Sequence, residues 1–169
     1  MIFDILSARG VKRFHTLPFI GEQTIADHSW GVAVIVAHLA QGRDPSRVLA
    51  MVLEALYHDV PERWVGDTPG DIKATDRAIH DALGDAERRV VDTLFGGPIP
   101  LTPEEAATVK MADSLDLIWV AGRQGMLGNT YLAQASACAG KTVDLLLSRF
   151  PNPWAADMRR ALLTKAANV

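Results

Sequence analysis

Apolar residues recur at helical spacing through most of the chain, and the alternation expected of strands is nearly absent. Val48, Leu49, Val52, Leu53 and Leu56 follow one another at three- and four-residue steps, which places them along one side of a helix. Asp44-Pro45 just ahead is a capping residue with proline at the first helical position, so this helix opens there and runs to about His58. Pro61 then terminates it. Upstream, Asp27 can cap a helix that starts with His28, carries the apolar run 32–37 and ends near Gly42. Residues 60–74 contain the breakers Pro61, Gly66, Pro69 and Gly70 and read as irregular. A polar amphipathic helix is expected over about 75–95, stopped by Gly96-Gly97-Pro98. Thr102-Pro103-Glu104-Glu105 is a capping box with proline just inside the start, opening a helix that carries Lys110, Asp113 and Asp116 toward Gly122 and Gly125. Further helices are expected over roughly 129–150 and after Pro153. No Asn-Gly or Asp-Gly hairpin turn separates alternating runs, and no repeat, low-complexity segment or linker interrupts the pattern. The chain therefore reads as all-α, a compact helical bundle forming a single domain over residues 1–169.

With 49% apolar and 22% charged residues, 169 residues suffice for one globular core. The formal charge of −3 argues against a general nucleic-acid binder, which would carry a basic face. A small anionic substrate stays compatible, because a local cluster of Lys and Arg is enough to hold one. The single Cys138 excludes an internal disulfide framework and a multi-cysteine zinc site. It lies in an Ala-rich helical segment and is expected to be a buried, inert thiol. No N-terminal run has the order of a signal peptide, and the longest apolar run is far too short to span a bilayer. A cytosolic enzyme or binding protein with no membrane association fits these bounds.

The chemistry gathers around His58-Asp59 at the end of its helix. Adjacent helical residues diverge by about 100°, so the two side chains are expected not to pair with each other but to converge on a third object between helices. His28, His58-Asp59 and Asp113 fall on three separate helical segments, which is how bundles build metal sites. Two imidazoles with two carboxylates suit Mn, Fe, Co, Ni or Zn better than Ca or Mg. Taken singly, His28 could be a polar residue at a helix start, Asp59 a solvated terminus, and Asp113 one half of an i,i+3 pair with Lys110. Asp113 is hardest to treat that way, since its helix continues through Leu115, Leu117, Ile118 and Val120 and an unpaired carboxylate there would be costly. Glu62 and Asp67 follow in the irregular stretch, where carboxylates near a metal-bound water could serve as general base and acid; a surface position and a turn position are their alternatives. Arg13, Lys73 and Lys110 could grip phosphate, although Lys110 could equally form a plain salt bridge. His38, about 280° around its helix from His28, is expected on another face, and His80 in solvent. His15, beside Arg13 and Phe14, could line a pocket. Trp30, Trp64, Trp119 and Trp154 read as core or interface residues.

In this order on helices, His28, His58-Asp59 and Asp113 resemble the HD-domain metal-dependent phosphohydrolases. Lys12-Arg13-Phe14, Asp27-His28-Ser29, Tyr57-His58-Asp59-Val60-Pro61-Glu62, Gly66-Asp67-Thr68-Pro69 and Lys110-Met111-Ala112-Asp113 resemble the HD-domain 5′-deoxynucleotidases, a likeness running over about residues 10–120. The compact spacing, with Lys73 and Lys110, is similar to the small phage HD-domain dATP triphosphohydrolases. The resemblance implies an HD-type bundle, commonly homo-oligomeric, with one divalent transition metal (Co, Mn, Zn, Fe or Ni) on His28, His58, Asp59 and Asp113. A triphosphate would bring a second ion such as Mg. It implies that Arg13 contacts phosphate and that Phe14, a tryptophan in the family pattern, packs on deoxyribose. Lys73 and Lys110 would hold further phosphates, Glu62 would orient or deprotonate water, and Asp67 would protonate the leaving oxygen. The expected activity is release of deoxynucleoside and triphosphate from a deoxynucleoside triphosphate. Release of phosphate from a deoxynucleoside monophosphate is the alternative, and a nucleotide-sensing module without turnover is the alternative of another class. The expected location is the cytoplasm, the host's if the protein is viral.

Overall fold

A computed structural model describes residues 2–67 and 76–166, the last two by backbone alone. Among the described residues there is no strand, only an isolated antiparallel bridge between Lys12 and Thr24. The helices in chain order are α1 (Ile2–Ala8), α2 (Ile25–Leu39), α3 (Pro45–Tyr57), the single turn α4 (Glu62–Val65), α5 (Arg77–Phe95), α6 (Pro103–Met126), α7 (Ala133–Arg149) and α8 (Pro153–Ala166). The all-α bundle expected from periodicity is the one observed.

The caps explain the boundaries. Asp44 accepts from Ser46 N at the start of α3, and Thr102 and Glu105 exchange capping-box bonds at the start of α6. Asp27 is not the cap of α2. Thr24 is, and Asp27 completes its capping box from the third helical position, so the helix begins a turn earlier than the sequence suggests. Pro61 ends α3 as expected but also stands at the N-cap position of α4. Residues 62–65 of that stretch therefore form one helical turn, Gly66 and Asp67 follow it without regular structure, and the rest of the stretch lies outside the described residues. Asp76 caps α5 through Ala78 N and Ile79 N. Gly122 and Gly125 do not stop α6, and α7 starts at Ala133, later than the pattern implied.

The core lies where α2, α3, α6, α7 and α8 meet, and α6 packs against the other four. Val32, Val36, Leu39, Met51, Ala55, Met111, Leu115 and Val143 are all essentially inaccessible to solvent. On α3 the buried pair is Met51 and Ala55, while Leu49 from the apolar stripe is 58% exposed. Helix α5 contains no buried residue and touches α4 at the edge of the bundle, with Phe95 stacked on Tyr57. One expectation fails. Cys138 is exposed, because the small residues around it let Ala139, Gly140 and Val143 form the buried side of α7. Of the two readings of the tryptophans, core or interface, exposure of all four removes the core; guanidinium groups of Arg63 and Arg123 lie over Trp64 and Trp119, and His38 meets Trp154 edge-on.

Leu39 sits at the end of α2, 2% exposed. Leu39→Ala removes buried methyl groups and leaves a void, so it should cost about 2–5 kcal/mol. Chemical denaturation should show that loss while leaving metal affinity unchanged.

Candidate metal centre and active site

Buried polar side chains of α2 and of the middle of α6 face the end of α3. His28, on α2, is 1% exposed. Its Nδ1 is 2.7 Å from Asp116 Oδ2. Its Nε2 lies 3.3 Å from Asp113 Oδ1 and 3.5 Å from Asp59 Oδ2, without the alignment of a hydrogen bond. His58 caps α3, and its Nδ1 is 2.9 Å from Ala55 O. A carbonyl oxygen only accepts, so Nδ1 carries a hydrogen and Nε2 is the nitrogen left to face a metal. His58 Nε2 is also buried without a hydrogen-bond partner. Two imidazole nitrogens thus face the same space, with the rings 5.4 Å apart.

His28, His58 and Asp113 each offer a donor atom within 4.8 Å of the others and could hold a metal ion. Asp59 adjoins this triple: its Oδ1 is 3.3 Å from His58 Nε2, and its Oδ2 accepts from Arg13 Nη1 at 2.6 Å. The neighbours His58 and Asp59 therefore do approach each other, contrary to the helical divergence expected of them. The reason is that α3 ends at Tyr57, and the following turn, closed by Glu62 N donating to Asp59 O, brings both side chains to one side.

Burial works to lower the His28 pKa, but the Asp113 and Asp116 carboxylates outweigh it and lift it from 6.5 to about 9. Burial also works to raise Asp113; the His28 imidazole beside it and the charge of Lys110 reverse that and hold it well below the usual carboxylate range. Without a cation between them the carboxylates retain a proton on His28. Any metal binding at Nε2 displaces that proton. Metal affinity should therefore rise with pH, about tenfold per unit between pH 6.5 and 8.5 for one proton released, and flatten above about 9. Chelator competition across that range checks it, and an affinity independent of pH would remove His28 from the ligand set. In the metal-free protein the sign is opposite. A raised pKa stabilises the fold fully below 6.5, and that contribution fades as pH rises through about 9.

Glu62, Asp67, Arg13, Phe14 and Lys110 lie on or beside the elements that form this centre. Glu62 opens α4 and is 9% exposed. Asp67, after Gly66, accepts from Phe14 N through Oδ2 at 2.9 Å. Phe14 adopts a left-handed backbone, φ 57°, uncommon for a bulky residue; the Asp67 bond and stacking on Phe19 at 5.3 Å hold it there. Arg13 lies over the Phe14 ring and keeps a buried Nε without a partner. Lys110 donates to Asp113 Oδ2 at 2.5 Å from an exposed position, the i,i+3 pair that the sequence offered as one reading. Lys73 lies outside the described residues. His15 does line a cavity of about 180 Å³ with Arg13, Phe14 and Phe19. A larger cavity of about 400 Å³, between Trp64 and α5, contains none of these residues. His38 and His80 are exposed, as expected.

Three residues of the site escaped sequence reading. Asp116 bonds the back of the His28 ring; its i,i+3 spacing from Asp113 was the available signal. Gln124 and Asn129 clamp the loop that bears Phe14 and Phe19. Gln124 Oε1 accepts from Ile20 N at 2.9 Å and its Nε2 donates to Ile20 O at 3.0 Å. Asn129 Nδ2 donates to Pro18 O and to Gln124 Oε1. No local pattern announces such a pair.

Known proteins carry related sequences and the same architecture. A family model described as 5′-deoxynucleotidase YfbR-like matches residues 4–100, more than half of the chain. The dATP triphosphohydrolase of Salmonella phage PMBT28 is 30% identical over 128 residues, 69% of this chain. The match spans 63% of the length of that relative. The cyanophage S-2L HD phosphohydrolase DatZ, solved with dA and one catalytic Zn2+ ion, superposes with a TM-score of 0.68 at 19% identity, covering 99% of this chain and 95% of that one. That likeness establishes the fold. Among the described residues no helix is long and apolar enough to cross a membrane. The protein thus has the HD phosphohydrolase fold and belongs to the 5′-deoxynucleotidase YfbR-like family.

Proposed function

We propose that this protein is a metal-dependent phosphohydrolase acting on deoxyribonucleotides, releasing deoxynucleoside and triphosphate from a dATP-type substrate. The observation that carries the reading is the pair of buried, unpartnered imidazole nitrogens of His28 and His58 converging with Asp113 within 4.8 Å. Two nitrogens and an oxygen match a divalent transition metal, with Asp59 as the fourth ligand. Such an ion, when bound, polarises phosphate and acidifies water. The chain supplies the rest. Glu62, buried one turn after Asp59, orients and deprotonates the attacking water. Asp67, with one oxygen on the Phe14 amide, protonates the leaving 5′ oxygen through the other. Arg13 has an unspent buried donor for a phosphate oxygen, Lys110 and Lys73 neutralise the outer phosphates, and Phe14 packs against the sugar. A triphosphate would bring its own second ion, such as Mg.

The family description favours a second reading, hydrolysis of a deoxynucleoside monophosphate to deoxynucleoside and phosphate; the named activity of the Salmonella phage relative favours the first. Incubating the full chain with Mn, Co or Zn and a panel of dNTPs and dNMPs, then separating products by chromatography, decides between them. Triphosphate is the expected product. Orthophosphate from dNMP alone supports the monophosphatase, and binding without turnover supports a sensor. We also propose a homo-oligomer, since Phe3 is 79%, Trp30 69% and Met126 67% exposed on a single chain. Light scattering after size exclusion should give a mass above one protomer; a monomer would refute this. The cytoplasm, that of a host if the protein is viral, is the proposed location.

A further inference from the structure

A histidine offers a metal one nitrogen only, and the hydrogen bond at the other nitrogen decides which. At His58 the partner is a neutral carbonyl of its own helix. At His28 it is the Asp116 carboxylate, 2.7 Å from Nδ1, on a helix 88 residues away in sequence. A carboxylate has no proton to give, so Nδ1 keeps its hydrogen and Nε2 faces Asp113 and Asp59. Asp116 is itself 4% exposed and reaches the ring because Gly31 leaves room. A Cβ at position 31 would meet Asp116 Oδ1 at 2.3 Å and Cγ at 3.2 Å. Positions 28 and 31 share a face of α2, and 113 and 116 share a face of α6, so the contact is one pair of turns meeting another.

We propose that Asp116, seated against Gly31, is a positioning residue that fixes the Nδ1–H form and ring plane of His28, so that Nε2 is presented to the metal ion. This rests on the reading of His28, His58 and Asp113 as the metal-holding triple. Asp116 contributes through the imidazole and is not a ligand. Any side chain at position 31 would expel the carboxylate without altering it, which makes Gly31→Ala an independent probe of the same contact.

The test uses the full chain and Zn(II). Affinity is measured by competition with a chromophoric chelator for the wild type, Asp116→Asn, Gly31→Ala and His58→Ala, with helical content checked by circular dichroism. Both Asp116→Asn and Gly31→Ala should bind Zn(II) about 10–100-fold more weakly than wild type while remaining helical. In the Zn-loaded wild type, nitrogen–proton correlation spectra should show a protected His28 Nδ1–H, which Asp116→Asn should lose or shift. That spectrum also serves if a variant fails to fold. Wild-type affinity in folded Asp116→Asn, or a His28 ring without an Nδ1 proton, overturns the proposal. If His58→Ala alone loses Zn(II), the metal site stands and the role of Asp116 falls. If wild type takes up no Zn(II), the metal reading and this proposal fall together.

Discussion

Replacing His58 with alanine should leave a folded protein that holds no divalent metal and turns over no deoxynucleotide. His58 contributes one of the three donor atoms found within 4.8 Å of one another, and its ring is already oriented by Ala55 O. Removing it leaves one imidazole and the carboxylates, a set too poor in nitrogen to retain a transition metal against dialysis. The loss should exceed the roughly 10–100-fold seen when only an outer hydrogen-bond partner is removed. Stability should change little, because His58 is the C-cap of α3 rather than a core residue. Metal analysis after dialysis, alongside chromatographic product detection, measures both effects. A metal-depleted His58→Ala protein with full activity would sink the metal-dependent scheme.

Glu62→Gln should separate metal binding from turnover. The side chain opens α4 and is 9% exposed, so the amide fits its place, but it cannot accept a proton. A positioned general base contributes about 10²–10⁴-fold to rate, and the loss should fall on kcat with KM and Zn(II) affinity nearly unchanged. An unaltered kcat would assign Glu62 a structural role and move the search for a base elsewhere.

The parts of the molecule legible in the sequence are those whose cause is local. Asp44-Pro45 and the Thr102–Glu105 box mark helix starts because each bond they make spans only two or three residues. The four charged or imidazole residues of the centre could be proposed because they come from three separate helical segments, His58 and Asp59 sharing one. Other features were hidden for physical reasons. Helix α1 exposes Ile2, Phe3 and Leu6 and buries only Ala8, so no apolar face distinguishes it. Thr24 and Asp27 both suit a helix start, and only the pair of bonds between them says which is the cap. Cys138 and Leu49 fall on the solvent side of their helices, opposite Ala139, Gly140 and Val143 on α7 and Met51 and Ala55 on α3. The Arg13–Asp59 bond spans 46 residues and the Gln124–Ile20 bonds 104, distances at which periodicity carries no information.

Besides the helices it packs against, α6 reaches polar partners in order along its length: Arg47 of α3 through Glu105, the imidazole centre through Asp113 and Asp116, and the Phe14–Phe19 loop through Gln124. Asp113 and Gln124 are roughly three turns apart on it, on the order of 16 Å. The helix acts as a ruler between the His28–His58–Asp113 centre and the aromatic wall of the cavity beside Arg13. Inserting one residue between positions 116 and 124 would swing Gln124 by about 100° and release the loop without touching a ligand. The shape of that cavity can therefore vary through the side chains at 14 and 19, whereas the length of α6 is not free to vary.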